Sequence, residues 1–208
     1  MTPDGFQIDG GKKLEFVFAK RNDHRLFNRW VKSANPGSNP NVLNAMELAT
    51  LAFRRWKEAH KEGQVAHSVQ DIKDYIRNNP HEEITILILV RARWLKDRTL
   101  AGLCHFRRTW CNNIFIDFLT RHPSLVRKPT TSKIRGVGTA LLYFVTSVAA
   151  EIEAGAVWGE ATQNSAEFYK GAFEKPNIKD LFFLKKKDYT AYVKRIRLDL
   201  QAKSEGSK

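Results

Sequence analysis

Gly136 and Gly138 lie near the start of "KIRGVGTALLYFVTSVAA", a segment from Lys133 to Ala150 that turns strongly apolar and holds no acidic residue. Two glycines opening a helix leave backbone N–H groups bare. With the positive end of the helix dipole, those groups form an anion site. Glycine lacks a β-carbon, so a pyrophosphate can lie against the backbone, and Lys133 and Arg135 add charge beside it. Two phosphate motifs are excluded. The nucleotide loop G-x-x-x-x-G-K-[ST] is absent. The dinucleotide fingerprint fails at Leu141, where its third glycine belongs, and a proline-broken loop precedes the glycines instead of a strand. The bland alternative is a pair of glycines that eases a turn.

The charge pattern points the same way. A formal net charge of +13 calls for an anionic partner: nucleic acid, a membrane surface or a phosphorylated cofactor. Between Asp117 and Glu151 no acid occurs, while Arg121, Arg127, Lys128, Lys133 and Arg135 fall in that gap. Further basic concentrations run from Lys12 to Lys32 and from Lys185 onward, where a solvated face explains them as well as a partner does. The two cysteines, Cys104 and Cys111, have no flanking His pair and read as buried free thiols, not as a zinc site. The longest apolar run, Ile84 to Val90, is far too short to span a bilayer. The N-terminus has neither the basic start nor the apolar stretch of a secretion signal. These features predict a soluble cytoplasmic protein with no membrane partner and no metal.

The elements that must hold the glycine turn follow from periodicity. "KLEFVFAK" (Lys13 to Lys20) alternates as a strand, and a first helix is predicted from Asp23 to Lys32. Asn39 and Pro40 suit the cap and first position of a helix that runs to about Gly63. "SVQD" at Ser68 has capping-box form for another that stops before Pro80. Ile84 to Trp94, Thr99 to Arg108 and Asn113 to Thr120 read as an antiparallel meander, its first strand apolar on both faces and therefore central. Pro123 and Pro129 keep the next segment in a loop. Val137, Leu141, Val145, Val148 and Ile152 form a helical stripe. "AVWGEAT" is then a strand, Thr162 caps a short helix, "LFFL" (Leu181 to Leu184) is a last strand, and a basic helix covers about 186–203. The whole is one domain over 1–208 with its core at about 13–184.

At these residues a family resemblance emerges. "KIRGVGTALL" resembles the acyl-CoA-binding motif of the GNAT acetyltransferases, R/Q-x-x-G-x-G/A before an apolar helix, with Lys133 at the Arg/Gln position and Gly136 and Gly138 at the glycines. "IDFLTRHP" resembles the family's fourth strand and its closing His-Pro, and "EATQNSAEFY" with "KGAF" resembles the next strand and helix, with Tyr169 at the family's tyrosine. The resemblance implies an α/β (mixed α+β) GNAT fold: a central mixed, mostly antiparallel sheet with helices on both faces. There are departures. Thr162 stands where the family often has Asn, with Asn164 two residues later. The segment from Tyr169 to Phe173 is one residue short, the loop from Pro123 to Lys133 is long, and a second strand of the final hairpin is not obvious.

The resemblance further implies an N-acetyltransferase that takes acetyl-CoA as co-substrate and passes the acetyl group to an amine by direct attack. Main-chain N–H groups of Ile134, Arg135, Gly136, Val137, Gly138 and Thr139 then hold the pyrophosphate beside Lys133. Phe118, Leu119 and Thr120 bind the pantetheine arm and polarise the thioester carbonyl. Thr162 and Asn164 flank the arm, and Tyr169 protonates the leaving thiolate. Asp117 and Glu160, acids inside otherwise apolar strands, are the candidates for the base; His105 and His122 are secondary ones. The acceptor is an amine-bearing small molecule or a peptide, or else something associated with nucleic acid, given the basic ends. The enzyme is expected as a monomer or homodimer. Two other classes stay open: a non-catalytic GNAT-fold module that binds CoA or an acidic partner, and a basic nucleic-acid-binding domain, for which no recognised motif is present.

Overall fold

The computed structural model describes residues 3, 5–8, 12–23, 25–28, 39–94, 100–126 and 136–205. Its centre is β3 (Ile84–Arg91), whose side chains from Ile84 to Val90 are all buried. A strand apolar on both faces can sit only inside a sheet covered on both sides. Each such side chain contributes about 1.5–3 kcal/mol on burial, so this strand outweighs any single polar contact at about 1 kcal/mol. Ile86, Ile88 and Val90 face one core with Cys104 and Phe106, while Leu87 and Leu89 face a second core with Leu103.

Around β3 the strands follow sequence order: β1 (Gly5–Gln7), β2 (Lys13–Phe18), β3, β4 (Leu100–Arg108), β5 (Ile114–Arg121), β6 (Ala156–Glu160) and β7 (Leu181–Lys185). Every neighbouring pair is antiparallel except β5 and β6, which are parallel. This is the mixed, mostly antiparallel sheet that the sequence predicted. The β1 strand, paired with β2 through Phe6 and Leu14, was not anticipated.

One face carries α1 (Pro40–Lys61), started as predicted by Asn39, whose side chain accepts from Asn41 N at 2.9 Å. Its inner residues Ala49, Ala52, Phe53 and Trp56 close the second core, and Phe27 stacks on Phe53 at 4.5 Å. The opposite face carries α2 (Val69–Asn78), α4 (Val137–Glu151), α5 (Gln163–Phe173) and α6 (Lys186–Glu205), whose buried apolar residues join the first core. Ser68 caps α2 by accepting from Asp71 N at 2.9 Å. α6 is locked down by Tyr189, whose hydroxyl donates to Ala154 O at 2.5 Å.

Several expectations need adjustment. Pro123 opens a short helix, α3 (Pro123–Val126), where a loop was predicted, because proline suits the first helical position as well as it breaks a strand. Cys111 is exposed in the β4–β5 turn and only Cys104 is buried. Of the helix predicted from Asp23 to Lys32, Asp23 ends a short 3-10 turn, residues 25–28 are helical, and 24 and 29–32 lie outside the described residues.

Candidate functional site

β5 and β6 pair only from Ile114/Val157 to Ile116/Gly159. Beyond that, β5 continues to Arg121 along β4, while β6 ends at Glu160. The two parallel strands cease to pair there, and the position past their last pair, between the end of β6 and the continuing β5, is called the slot. Phe118, Leu119 and Thr120, the predicted binding residues, line its β5 side. Phe118 and Thr120 turn toward the α1 face, opposite His105 and Leu103, while Leu119 packs into the α4 core.

α4 begins close to the end of β5, and Gly136 precedes it at φ 92°, a left-handed conformation that favours glycine. Its carbonyl accepts the first helical bond, from Ala140 N at 2.8 Å, and among the described residues no side chain caps the helix. The N–H groups of Val137, Gly138 and Thr139 therefore have no partner within the helix. Val137 itself is buried against β4: a Cβ on Gly102 would stand 2.7 Å from its Cγ1. At Gly138 the structure adds something the sequence did not suggest. A Cβ there would lie 2.9 Å from Cζ of Phe168, so this glycine lets α4 and α5 approach. A cavity of about 190 Å³ adjoins the turn, between Phe6, Ile8, Gly136, Thr139, Ile196 and Leu200. Lys133, Ile134 and Arg135 lie outside the described residues.

Tyr169 is buried on α5, stacked on Phe182 of β7 at 4.4 Å between ring centroids. Burial, and then the nearby Cys104 thiol, push its phenol well above the usual tyrosine value. Thr162 caps α5 with its carbonyl, accepting from Ser165 N and Ala166 N at 2.8 and 2.9 Å, while its hydroxyl lies 3.0 Å from Ser165 Oγ. Asn164 is in the first turn of that helix.

Asp117 and Glu160 stand on the same side of the sheet in opposite circumstances. Glu160 is exposed at the end of β6, at the mouth of the slot. The Asp117 side chain is 1% exposed and its oxygens are occupied. Arg55 Nη1 of α1 donates to Oδ1 at 2.6 Å, and Arg107 Nε and His105 Nδ1 bond Oδ2 at 3.0 and 3.1 Å. Arg107 Nη1 continues to Glu83 at 2.6 Å. Burial alone raises the Asp117 pKa, but the His105 hydrogen bond and charge, then those of Arg107, outweigh it and hold the carboxyl below its usual value. With Asp117 ionised, His105 donates from Nδ1, and its buried Nε2 has no hydrogen-bond partner among the described residues. Sequence reasoning ranked His105 low and missed Arg55 and Arg107. The readable signal was His105 and Arg107 alternating with the apolar Cys104 and Phe106, a polar stripe on one strand face. His122, buried just past β5, hydrogen-bonds Ala101 O through its backbone N–H at 2.7 Å.

Among the described residues no group of three or more His, Cys, Asp or Glu could hold a metal ion, and no helix is long and apolar enough to cross a membrane.

No family model matches the sequence, and no curated protein matches it either. Solved structures are similar in fold. A nourseothricin acetyltransferase is 21% identical over 42% of this chain and 48% of its own, with a TM-score of 0.34. An acetyltransferase of the GNAT family from Staphylococcus aureus Mu50 is 9% identical over 83% of this chain and 99% of its own, at 0.45. AtaTR, solved bound with AcCoA, is 16% identical over 56% of this chain and 74% of its own, at 0.36. The match thus spans about half the length of the nourseothricin enzyme. What this chain has in common with the three is an arrangement of strands and helices.

Proposed function

We propose that this chain is a GNAT-type N-acetyltransferase, transferring the acetyl group of acetyl-CoA directly to an amine. The observation that carries the reading is the slot where β5 ceases to pair with β6, with the uncapped start of α4 close to the end of β5. The fit rests on bare donors: Val137, Gly138 and Thr139 N–H for the pyrophosphate, with Lys133, Ile134 and Arg135 as the preceding basic segment. The β5 backbone at Phe118, Leu119 and Thr120 serves as a strand partner for the pantetheine arm, with Thr162 and Asn164 at the start of α5 beyond it.

Acetyl-CoA supplies the thioester that is broken. The chain's own residues supply the proton handling, and the slot divides it between two faces. Tyr169 belongs to the α4 face, where it donates a proton to the departing thiolate sulfur. Glu160 belongs to the α1 face, where it receives the protonated amine and accepts its proton, directly or through water. Asp117 serves as a fixed counter-ion instead of a base, because three donors hold its oxygens and its proton affinity is lowered. The acceptor is a small-molecule or peptide amine.

A second reading, a non-catalytic module for CoA or an acidic partner, is favoured by the Phe168 ring over Gly138 and the depth of Tyr169. Thermal melting with acetyl-CoA, followed by thiol release with a panel of amines, separates them. A bound ligand at a hundred times its dissociation constant stabilises by about 2.7 kcal/mol. Stabilisation with thiol release supports the enzyme; stabilisation alone supports the module; neither removes the CoA site.

A further inference from the structure

β7 is the outer strand of the sheet, and among the described residues no strand covers its far edge. The groups it turns outward follow from its pairing with β6. Ala161 N donates to Asp180 O at 2.7 Å, so that pair is a hydrogen-bonded one. Antiparallel pairs alternate. Gly159/Phe182 and Val157/Leu184 therefore bond likewise, and Leu181, Phe183 and Lys185 direct their N–H and C=O groups to the open edge. The Lys185 N–H is taken by Asp188 Oδ2 at 3.0 Å.

The side chains of this edge are as bare as its backbone. Leu181 and Phe183 are 49% and 48% exposed. They continue a row on the α1 face of the sheet, where Phe115 and Trp158 lie 4.3 Å apart between centroids and Phe183 pairs with Trp158. From Leu181 to Leu184 there is no proline and no charge, the usual devices that keep an edge from pairing. α6 leaves on the opposite face, where Tyr189 is buried, so it does not cover this row.

We propose that β7 pairs antiparallel with β7 of a second copy of this chain, about a two-fold axis through Phe183. The edge is complementary to itself in that register. Phe183 exchanges N–H and C=O bonds with its own image, and Leu181 N–H meets the Lys185 carbonyl on both sides of the axis. The exposed Asp180 falls opposite the exposed Lys186, so unlike charges close both ends. Sliding the pair until Leu181 faces Phe183 loses one pair of outward residues and sets Asp180 against Leu184. The aromatic row Phe115, Trp158 and Phe183 then meets its image and becomes continuous across both sheets, an isologous interface.

Sedimentation of the full chain over a dilution series tests this. The expected mass is twice the 23.9 kDa of one chain. Phe183→Lys sets like charges on the axis and is expected to give a monomer with unchanged circular dichroism. Independently, Phe183→Cys in a Cys111→Ser background is expected to cross-link on mild oxidation, because a hydrogen-bonded antiparallel pair sets Cα atoms about 5.5 Å apart, within disulfide range. Leu181→Cys in the same background is expected not to, since its image lies about 14 Å along the strand. A wild-type monomer at every concentration, a dimer that survives Phe183→Lys, or equal cross-linking at both positions overturns the proposal. Should Phe183→Lys fail to fold, the two cysteine variants decide.

Discussion

Asp117 and His105 are joined by a 3.1 Å hydrogen bond where β4 and β5 step out of register: His105 lies opposite Phe118, yet the next residue, Phe106, lies opposite Ile116. Asp117 is the extra residue of a bulge. Without it, strict alternation would send Asp117 and Phe118 to opposite faces. With it, both meet α1, where the Arg55 guanidinium bonds the carboxylate and sits 5.1 Å from the Phe118 ring centroid. The bulge thus fixes a carboxylate, two guanidiniums and an imidazole beside the slot.

Asp117→Asn is expected to destabilise the fold by about 1–3 kcal/mol, since the buried side chain loses its charge-assisted hydrogen bonds to Arg55, Arg107 and His105. The pH dependence follows from the direction of the shift. A carboxyl whose pKa falls on folding stabilises the protein above its unfolded value of 3.8, and this contribution disappears as pH drops through the lower folded value. Urea unfolding at neutral and at acid pH checks this: the gap between wild type and Asp117→Asn is expected to close in acid. A constant gap contradicts the assignment of Asp117 as a fixed ion.

Gly136→Ala and Gly138→Ala are expected to differ. The first forces alanine to φ 92° and costs on the order of 1–3 kcal/mol in strain. The second has ordinary helical conformation but pushes the Phe168 ring, an overpacking cost of roughly 1–3 kcal/mol. The Gly136 methyl points at Ile8 and Phe6, which line the cavity beside the turn, and the Gly138 methyl at the Phe168 ring. Each disturbs the walls of the proposed pyrophosphate site, so titration calorimetry is expected to find acetyl-CoA binding weakened beyond what melting accounts for. Unchanged affinity in both variants moves the phosphates elsewhere.

Tyr169→Phe and Tyr189→Phe separate a chemical hydroxyl from a structural one. The Tyr189 hydroxyl bonds Ala154 O, and its removal is expected to cost roughly 1 kcal/mol in stability with activity retained. No hydrogen bond to the Tyr169 hydroxyl occurs among the described residues, so its loss is expected to leave melting nearly unchanged while slowing thiol release about 10²-fold or more. Because burial raises the phenol pKa, Tyr169 stays protonated through the alkaline range and the rate should show no alkaline limb of its making. Equal rates for Tyr169→Phe and wild type remove it from the chemistry.

How far these features were legible in the sequence depends on the range of the interactions that create them. Local signals were readable: Asn39 and Ser68 as caps, Ile84 to Val90 as a strand buried on both faces, and the apolar stripe of α4 each depend on residues close in the chain. The β1 strand gave no such signal, because three residues gain strand character only by pairing with Leu14 and its neighbours. The bulge at Asp117 was hidden for the same reason, since register is a property of two strands and not of one. Arg55 reached Asp117 across sixty-two positions, and nothing in the pattern of α1 marked it as different from Arg54. The exposure of Phe183 was not legible, because "LFFL" alternates too little to tell an inner face from a bare one.

Glu160→Gln addresses the remaining acid. The residue is the first on β6 past the last pair with β5, exposed and on the α1 side of the slot, so it meets an amine arriving from that face. Its substitution leaves the α4 turn, the β5 backbone and Tyr169 untouched. Acetyl-CoA affinity is therefore expected to stay at the wild-type level, while the second-order rate for the most reactive amine found in the panel falls about 10²-fold or more. The same variant separates a base from a mere charge. If Glu160 only attracts the amine cation, the loss appears in KM and raising the pH does not relieve it. If Glu160 takes the proton, the loss appears in kcat and diminishes at alkaline pH, where more of the amine is already neutral. A variant as fast as wild type under both conditions leaves proton removal to solvent and confines the chain's role to holding the thioester.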